Sequence, residues 1–202
     1  MKSCYVLWSA GLDSTYLILR LLESGFTVGS GYVCIQNNSK KSKMELQAIE
    51  NLQSKIKEIY KNFYYNGVIY SGRNNCVGMK TGRHLRYRQV PYFIHAFMVA
   101  PHTDYRALGY VKGDSAIKNL EKIRAVYNVH NLITFKVLPK LVFPIKNISK
   151  TEIYQHLQTK YPNILADCVW CEAPKGRNLT ACGECTPCKR HSKELSPKKI
   201  AA

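Results

Sequence analysis

Small and hydroxyl-bearing residues interrupt the apolar start of the chain at positions 9–15, where the sequence is Ser-Ala-Gly-Leu-Asp-Ser-Thr. An apolar run over residues 5–8 precedes them, and a helix-like apolar run over residues 16–22 follows. This order predicts a strand, a tight turn and the start of a helix, whose first N–H groups and partial positive charge face the turn. We call residues 9–15 the opening loop and predict that it binds an anion, most naturally a phosphate group.

The residue types of the opening loop restrict which kind of phosphate site it can form. A Walker loop needs a lysine, and the opening loop has none; a dinucleotide fingerprint needs three spaced glycines, and only Gly11 is present. The hydroxyls of Ser9 and Ser14 and the backbone N–H groups can hold a pyrophosphate, and Asp13 can orient the loop or bind Mg²⁺. A simple helix cap at Asp13 is the alternative. The predicted nucleotide-binding residues are Ser9, Ala10, Gly11, Leu12, Asp13, Ser14 and Thr15.

Five of the eight cysteines lie between Cys168 and Cys188, and the other three are isolated. Pairs spaced as Cys-x-x-Cys let one turn of chain present two thiolates to a tetrahedral Zn²⁺ ion, and cysteines also hold iron–sulfur clusters. The chain starts without a signal-peptide pattern, so we expect the clustered cysteines to bind a metal rather than to form disulfides. Five cysteines compete for four ligand positions, and their spacing leaves the choice among them open.

Segments with strand and helix patterns alternate along the chain. Apolar, β-branched and aromatic runs predict strands over residues 5–8, 27–35, 68–70, 105–110 and 133–137. Apolar positions three and four residues apart predict helices over residues 13–24, 44–63, 88–100, 115–127 and 149–160, the last with a Ser-x-x-Glu capping box. Residues 71–86, rich in glycine and basic residues, are predicted to form an irregular loop near the site.

This alternation predicts an α/β, Rossmann-like fold with a parallel five-stranded sheet and helices on both faces. Ligands bind such sheets at the carboxyl ends of the strands, which is where the opening loop is expected. We predict two units: an α/β domain over residues 1–163 and a small zinc-binding tail over residues 164–202 with a basic end.

The charge of the chain is strongly positive, with 30 Lys and Arg, 13 Asp and Glu, and a formal net charge of +17. That excess favours nucleotides, nucleic acid or acidic protein surfaces as partners, and a solvated lysine-rich surface is the alternative. No apolar stretch is long enough to span a membrane, so we expect a cytoplasmic protein. We also allow for a homodimer.

The opening loop resembles the Ser-Gly-Gly-x-Asp-Ser loop of the PP-loop ATP pyrophosphatases, which cleave ATP between the α and β phosphates. The resemblance implies that a substrate oxygen is activated as an adenylate and that a nitrogen or sulfur nucleophile then displaces AMP. Ala10 stands where that family has a glycine. Its methyl group would hinder a backbone conformation with φ above zero.

With its cysteine tail, the chain resembles the 7-cyano-7-deazaguanine (preQ0) synthase family, QueC, over nearly its whole length. Residues 141–153 resemble that family's segment containing Ser-Lys-x-Glu-Ile, and residues 169–171 resemble its Trp-Ser-Cys. The resemblance implies ATP, Mg²⁺ and Zn²⁺ as cofactors, with Cys168 as the extra cysteine. The implied zinc ligands are Cys171, Cys182, Cys185 and Cys188.

The same resemblance places Asp114 in the cleft after the fourth strand and Arg88 at the start of the central helix. Our first hypothesis is an ATP-dependent ligase that converts a carboxylate, by resemblance 7-carboxy-7-deazaguanine, to an amide or nitrile with ammonia. Its implied catalytic residues are Asp13, Ser14, Asp114 and Arg88.

Two segments of that family are missing from the chain, the Tyr-Gly-Gln-Arg-His after the second strand and the Pro-Asp-Cys-Arg after the fourth. A second hypothesis is tRNA thiolation, in which the cysteines hold an iron–sulfur cluster and the positive charge binds RNA. A third is a non-catalytic module that binds nucleic acid or protein on a degenerate nucleotide fold. Zinc in the purified protein would favour the first hypothesis, and iron with acid-labile sulfide would favour the second.

Overall fold

The computed structural model describes residues 1–35, 39–71, 90–134 and 139–192 of the chain. In these ranges the strands are β1 Ser3–Leu7, β2 Thr27–Ile35, β3 Phe63–Ser71, β4 Tyr105–Ala107 and β5 Lys140–Val142. The helices are α1 Leu12–Glu23, α2 Ser39–Ile59, α3 Val90–Val99, α4 Leu120–Thr134, α5 Lys150–Lys160, α6 Pro162–Leu165 and α7 Thr186–Arg190, and a 3-10 helix spans Ser115–Asn119. None of the helices described is both long and apolar enough to cross a membrane.

The strands form one sheet in the order β3-β2-β1-β4-β5, and every neighbouring pair is parallel. Because β1 lies in the centre, the chain builds one half of the sheet from β1 to β3 and then crosses over to add β4 and β5. The loops after β1 and β4 lead away to opposite halves and leave a crevice between them. The predicted α/β fold with a parallel five-stranded sheet is confirmed, and the opening loop lies at this crevice.

Strand β1 is apolar from Cys4 to Leu7 because both of its faces are buried there. Cys4 and Val6 belong to a core formed with α1, α2 and α5, whereas Tyr5 and Leu7 belong to a second core formed with α3 and α4. Successive side chains of a strand point to opposite faces of the sheet, so one short apolar run serves both cores. Packing from two sides therefore fixes the strand that leads into the opening loop.

Helices α1 and α5 run in the same direction and are joined by ion pairs at both ends. At their N-terminal ends, Lys150 Nζ lies 2.6 Å from Asp13 Oδ2. At their C-terminal ends, the Glu23 carboxylate accepts hydrogen bonds from the Lys160 ammonium and the Tyr161 hydroxyl. The two pairs hold α5 alongside the helix that follows the opening loop.

The predicted capping box at the start of α5 is present. The Ser149 hydroxyl oxygen accepts from the Glu152 amide at 3.3 Å, and the Glu152 carboxylate accepts from the Ser149 amide at 2.8 Å. This cap determines the residue at which α5 begins. It thereby places Lys150 in the first turn, next to the opening loop.

Several predicted elements have wrong boundaries: β3 begins at residue 63 rather than 68, β4 ends at residue 107 rather than 110, and α2 begins at residue 39 rather than 44. Residues 133–134, predicted to start a strand, complete α4, and the fifth strand is β5; β-branched residues join a helix where its context favours that. The helix predicted over residues 44–63 ends earlier, at Ile59, because Ile59 is exposed whereas Phe63 is buried and opens β3. Of the irregular loop predicted over residues 71–86, residue 71 ends β3. The rest of that loop lies outside the described residues, as do Arg88 and residues 135–137.

Candidate functional site

The opening loop leaves the carboxyl end of β1 and turns sharply before α1. Ala10 makes the turn with a φ of 55°, in the left-handed region, and it is fully buried. Gly11 returns to an extended backbone, with φ −73° and ψ 159°, and its carbonyl accepts from the Thr15 amide at 3.0 Å. Left-handed geometry costs a residue with a Cβ about 1–2 kcal/mol. The steric conflict expected at Ala10 is therefore present in the folded loop.

The hydroxyls of Ser9 and Ser14 face each other across the opening loop. Their oxygens are 3.5 Å apart, and the Ser14 hydroxyl donates to the Gly11 carbonyl at 3.3 Å. Thr15 is placed differently, because its hydroxyl is buried and accepts from the Trp8 indole at 3.0 Å. The two serines can offer hydroxyls to a ligand, whereas the threonine side chain supports the loop from the core.

Asp13 carries a carboxylate that is only partly paired. Its Oδ2 accepts from the Lys150 ammonium at 2.6 Å, and its Oδ1 is buried without a hydrogen-bond partner among the described residues. Burial raises the pKa of Asp13, the Lys150 ammonium opposes that rise, and the nearby Asp114 carboxylate adds to it. A buried carboxylate oxygen without a partner is costly. A divalent cation that prefers oxygen ligands, such as Mg²⁺, would satisfy it.

Asp114 lies in the turn after β4, across the crevice from the opening loop. Its Oδ2 accepts from the Val111 amide at 3.0 Å, which fixes the carboxylate in the turn. Asp13, Asp114 and Lys150 line one cavity. The structure thus brings the two aspartates to one cavity, whereas Arg88 lies outside the residues it describes.

Two cavities meet at the opening loop and share Ser9, Gly11 and Asp13. The smaller, of about 290 Å³, we call the apolar cavity after the walls that it does not share with the other, although Asp13, Lys41 and Glu45 also line it. Those unshared apolar walls are Leu7, Trp8, Val33, Phe93, Leu108 and Tyr110. The larger, of about 380 Å³, we call the charged cavity; its charged walls include Lys41, Glu45, Asp114, Lys150, Glu172 and Arg190. The two cavities share Asp13, Lys41 and Glu45. The first adds aromatic side chains and the second adds further charged side chains, so the two could hold different ligands.

Charged residues from two helices complete this site, and sequence reasoning missed them. Lys41 and Glu45 of α2 line both cavities, and Arg190 lines the charged one. The Glu45 carboxylate accepts from the Tyr32 hydroxyl at 2.6 Å, so a side chain of β2 orients it. Residues on a lysine-rich helix give no signal by type or spacing. Lys150 is different, because the capping box is visible in the sequence and fixes this residue in the first turn of α5.

The four cysteines implied as metal ligands come together in the tail, and we call them the cysteine cluster: Cys171, Cys182, Cys185 and Cys188. Their sulfur atoms all lie within 4.8 Å of one another, and those of Cys182 and Cys188 are 3.9 Å apart. Four thiolates at about 2.3 Å from one Zn²⁺ would be about 3.8 Å apart in a regular tetrahedron. A four-iron cluster binds each cysteine through a separate iron and needs a wider set. The donor set fits a single metal ion.

Backbone amides surround the cysteine cluster. The Cys182 sulfur accepts from the Cys185 amide at 3.3 Å and from the Glu184 amide at 3.4 Å, and the Cys171 sulfur accepts from the Cys182 amide at 3.2 Å. These donors hold the pKa of the Cys182 thiol below its usual range. Because metals bind the thiolate form, the turns of the tail favour metal binding.

Cys168 is separate from the cysteine cluster. It is buried in the core formed with α1, α2 and α5, and its thiol donates to the Ile164 carbonyl at 3.4 Å. Burial raises the pKa of the Cys168 thiol to about 12. The fifth cysteine therefore acts as a small buried side chain, a common use of free cysteine.

Sheet order, opening loop and crevice together define a Rossmann-like α/β fold with the opening loop at its switch point. Solved structures with this fold include the U34-tRNA thiolase NcsA of Methanococcus maripaludis with its 4Fe–4S cluster, at a TM-score of 0.50 and 12% identity, over 86% of this chain and 60% of that one. A predicted subunit of tRNA methyltransferase from Methanocaldococcus jannaschii is similar at a TM-score of 0.49 and 14% identity, over 79% of this chain and 75% of that one. No protein-family model and no curated protein sequence matches the chain.

At such identities the likeness concerns the fold alone. The chain spans about 60% of the length of the thiolase, so the whole activity of that protein is not implied. The similarity supports a PP-loop fold without singling out the preQ0 synthase family.

Proposed function

We propose that the protein is an AMP-forming, ATP-dependent enzyme that activates an oxygen atom of an acceptor as its adenylate. The observation that carries the proposal is the opening loop itself, a turn rich in amides and hydroxyls that lines two cavities at the sheet crevice. The loop lacks the lysine that a Walker loop uses to bind the β and γ phosphates. The PP-loop fold supports the same class.

In this proposal the two cavities receive the two substrates. The apolar cavity suits the adenosine of ATP, because its walls include the aromatic side chains of Trp8, Phe93 and Tyr110. The phosphates extend to the opening loop, whose amides and the hydroxyls of Ser9 and Ser14 hold the β and γ phosphates. The acceptor enters through the charged cavity and presents its oxygen to the α phosphate.

The reaction is a displacement at the α phosphorus. An acceptor oxygen forms a bond to phosphorus, the bond to the bridging oxygen breaks, and pyrophosphate leaves with that electron pair. Lys150, paired with Asp13 in the structure, lies where its ammonium can offset the charge of the leaving pyrophosphate. Mg²⁺, held by Asp13 and Asp114, would neutralise phosphate charge. A second nucleophile then displaces AMP from the activated acceptor.

The comparisons support a nucleobase of tRNA as the acceptor better than they support a deazapurine carboxylate. The thiolase of similar fold acts on tRNA, as its name states. The net charge of +17 favours a polyanionic substrate. In this reaction the base is activated at a carbonyl oxygen, and sulfur displaces AMP.

A second candidate is the amidation of a deazapurine carboxylate by ammonia, as the resemblance to the preQ0 synthase family implies. The specific observation in its favour is the cysteine cluster, whose sulfur spacing fits one zinc ion and not a four-iron cluster. This reaction requires no sulfur carrier.

The test supplies ATP and Mg²⁺ with either unmodified tRNA and sulfide or 7-carboxy-7-deazaguanine and ammonium, and follows pyrophosphate and products by mass spectrometry. We expect one acceptor to drive stoichiometric release of AMP and pyrophosphate. Asp13→Asn should slow that release at least about 100-fold, and Glu121→Gln, which alters an exposed ion pair with Arg124, should not. Pyrophosphate release that is undiminished in Asp13→Asn would refute the assignment of the site.

A further inference from the structure

Residues 169 and 170, which we call the strap, connect the opening loop to the cysteine cluster. The Val169 amide donates to the Ala10 carbonyl at 2.9 Å, and Val169 pairs with Gly11 as an isolated parallel bridge. The next residue after the strap is Cys171, one of the four clustered cysteines. A single residue therefore separates the backbone that holds the loop from the first sulfur of the cluster.

The strap contacts the loop at its most constrained point. Ala10 has the left-handed φ of 55°, and its carbonyl is the group that the strap holds. A Cβ added at Gly11 would lie 3.2 Å from Ser9 Oγ and 3.7 Å from the Val169 carbonyl oxygen. Because the left-handed conformation is unfavourable for alanine, this hydrogen bond helps to maintain it. The strap thus supports the backbone that the proposed phosphate site uses.

The strap is also held from the far side of the cluster. The Trp170 indole stacks on the His191 ring, with centroids 3.7 Å apart and an angle of 5° between the planes. His191 directly follows α7, which carries Cys188. It also contacts Tyr154 of α5 edge-on, at 6.0 Å. The segments on both sides of the cysteine cluster therefore meet where Trp170 stacks on His191.

The segment that contains the cluster has almost no apolar core. Among residues 171–192, which the structure describes throughout, only Cys171, Pro174 and Cys188 are buried. A segment of this kind gains its folding free energy from the metal, since the ligands are not arranged without it. The order of the strap then depends on the metal as well.

We propose that the strap transmits the state of the cysteine cluster to the opening loop, so that the protein binds ATP tightly only when a metal ion occupies the cluster. Val169 and Trp170 are positioning residues in this mechanism, since they act through the backbone of Ala10 and Gly11. The inference rests on the proposed ATP site. It adds that nucleotide affinity is under the control of the tail.

The test measures the affinity of the full-length protein for ATP by calorimetry, in excess Mg²⁺, for three forms: metal-loaded, stripped and dialysed free of chelator, and reloaded with Zn²⁺. We expect stripping to weaken ATP binding at least about tenfold, equivalent to about 1.4 kcal/mol, and reloading to restore it. Hydrogen exchange of the amides of residues 9–15 should be faster in the stripped form without ATP. Circular dichroism should show that the sheet persists.

A substitution tests the strap while the metal stays bound. Trp170→Ala removes the stack on His191 and keeps all four cysteines, so we expect normal metal content and a several-fold weaker affinity for ATP. The matched control is Lys175→Ala, which breaks an exposed ion pair with Glu184 in the same segment and should change neither quantity.

Two outcomes would overturn the inference: equal ATP affinity of loaded and stripped protein, or unchanged affinity in metal-loaded Trp170→Ala. Failure of the loaded wild-type protein to bind ATP at all would instead refute the proposed function itself.

Discussion

The opening loop and the cysteine cluster lie side by side and are stabilised by opposite means. The loop follows a strand buried on both faces, and Trp8 and Thr15 anchor it in the core. The segment of the cluster buries three of its residues, two of which are cysteines of the cluster itself. Hydrophobic packing therefore determines the shape of the loop, whereas the tail, which lacks such packing, would take its shape from a metal ion held by the four cysteines.

This difference predicts how each region responds to change. Substitutions in the loop should affect nucleotide chemistry and leave the fold intact, because two cores support it. Substitutions in the cluster should unfold the tail locally and leave the sheet intact. The strap is the one point at which this division should fail.

Loss of a cluster cysteine has the largest expected effect. Cys185→Ser should remove the bound metal and expose residues 171–192 to proteolysis, because three thiolates hold Zn²⁺ less tightly than four and the segment has no core of its own. Elemental mass spectrometry and limited proteolysis measure the two effects. Cys168→Ala is the matched control, because this cysteine lies in the apolar core; it should keep the metal. Metal loss in both variants would contradict the division.

Asp13→Asn should lower the rate of pyrophosphate release by at least about 100-fold, a typical loss for a group that acts in the transition state. The amide keeps the shape of the side chain and removes the charge beside Lys150. The rate is measured with a coupled pyrophosphate assay, and the melting temperature checks that the variant folds. A proportional loss of folded protein would show that Asp13 has only a structural role.

The ion pair of Glu23, at the C-terminal ends of α1 and α5, predicts a dependence of stability on pH. Lysine, tyrosine and arginine donors outweigh the effect of burial and lower the pKa of Glu23 to about 2, from an ordinary value of 4.5. A lowered pKa in the folded state means that this stabilisation is complete above pH 4.5 and is lost as the pH falls through 2.

Urea unfolding between pH 6 and pH 2.5 tests this contribution. Glu23→Gln should lower the free energy of unfolding at pH 6 by about 1–2 kcal/mol, after allowance for solvent screening, and should flatten its fall with acid. ATP affinity should stay the same, because this ion pair lies at the far end of α1. An identical pH profile in the variant would contradict the assignment to Glu23.

The smallest effect is expected at Ala10, where two substitutions separate strain from packing. Ala10→Gly relieves the left-handed strain but loses a buried methyl group and adds chain entropy, so the free energy of unfolding should change by less than about 1 kcal/mol. Ala10→Val adds bulk at a fully buried site and should destabilise by about 1–3 kcal/mol. Chemical denaturation measures both. A valine variant as stable as the wild type would show that the loop is not tightly packed.

The fold was readable from the sequence because each of its signals is local. The apolar run before the opening loop, the Ser-x-x-Glu cap of α5 and the alternation of strands with helices each depend on near neighbours in the chain. The boundary errors at residues 133–134 and at Phe63 arose where packing overrode those local preferences.

The site could be predicted only in part, because its side chains come from segments that are distant in the sequence. Spacing indicated the cysteine cluster, but nothing in the spacing brings Lys41, Glu45 or Arg190 to the loop. The contact between Val169 and Ala10 joins residues far apart in the chain, and neither residue type suggests it. Contacts of this kind follow from how α2, α5 and the tail pack on the sheet.

The most direct test of the central claim is which bond of ATP is cleaved. ATP labelled at the α phosphate is incubated with metal-loaded protein, Mg²⁺ and each acceptor in turn, and the labelled products are separated by chromatography. With one of the acceptors, we expect labelled AMP from the wild type and at least about 100-fold slower formation of it by Asp13→Asn. Labelled ADP, or labelled AMP that forms equally in both proteins, would contradict it.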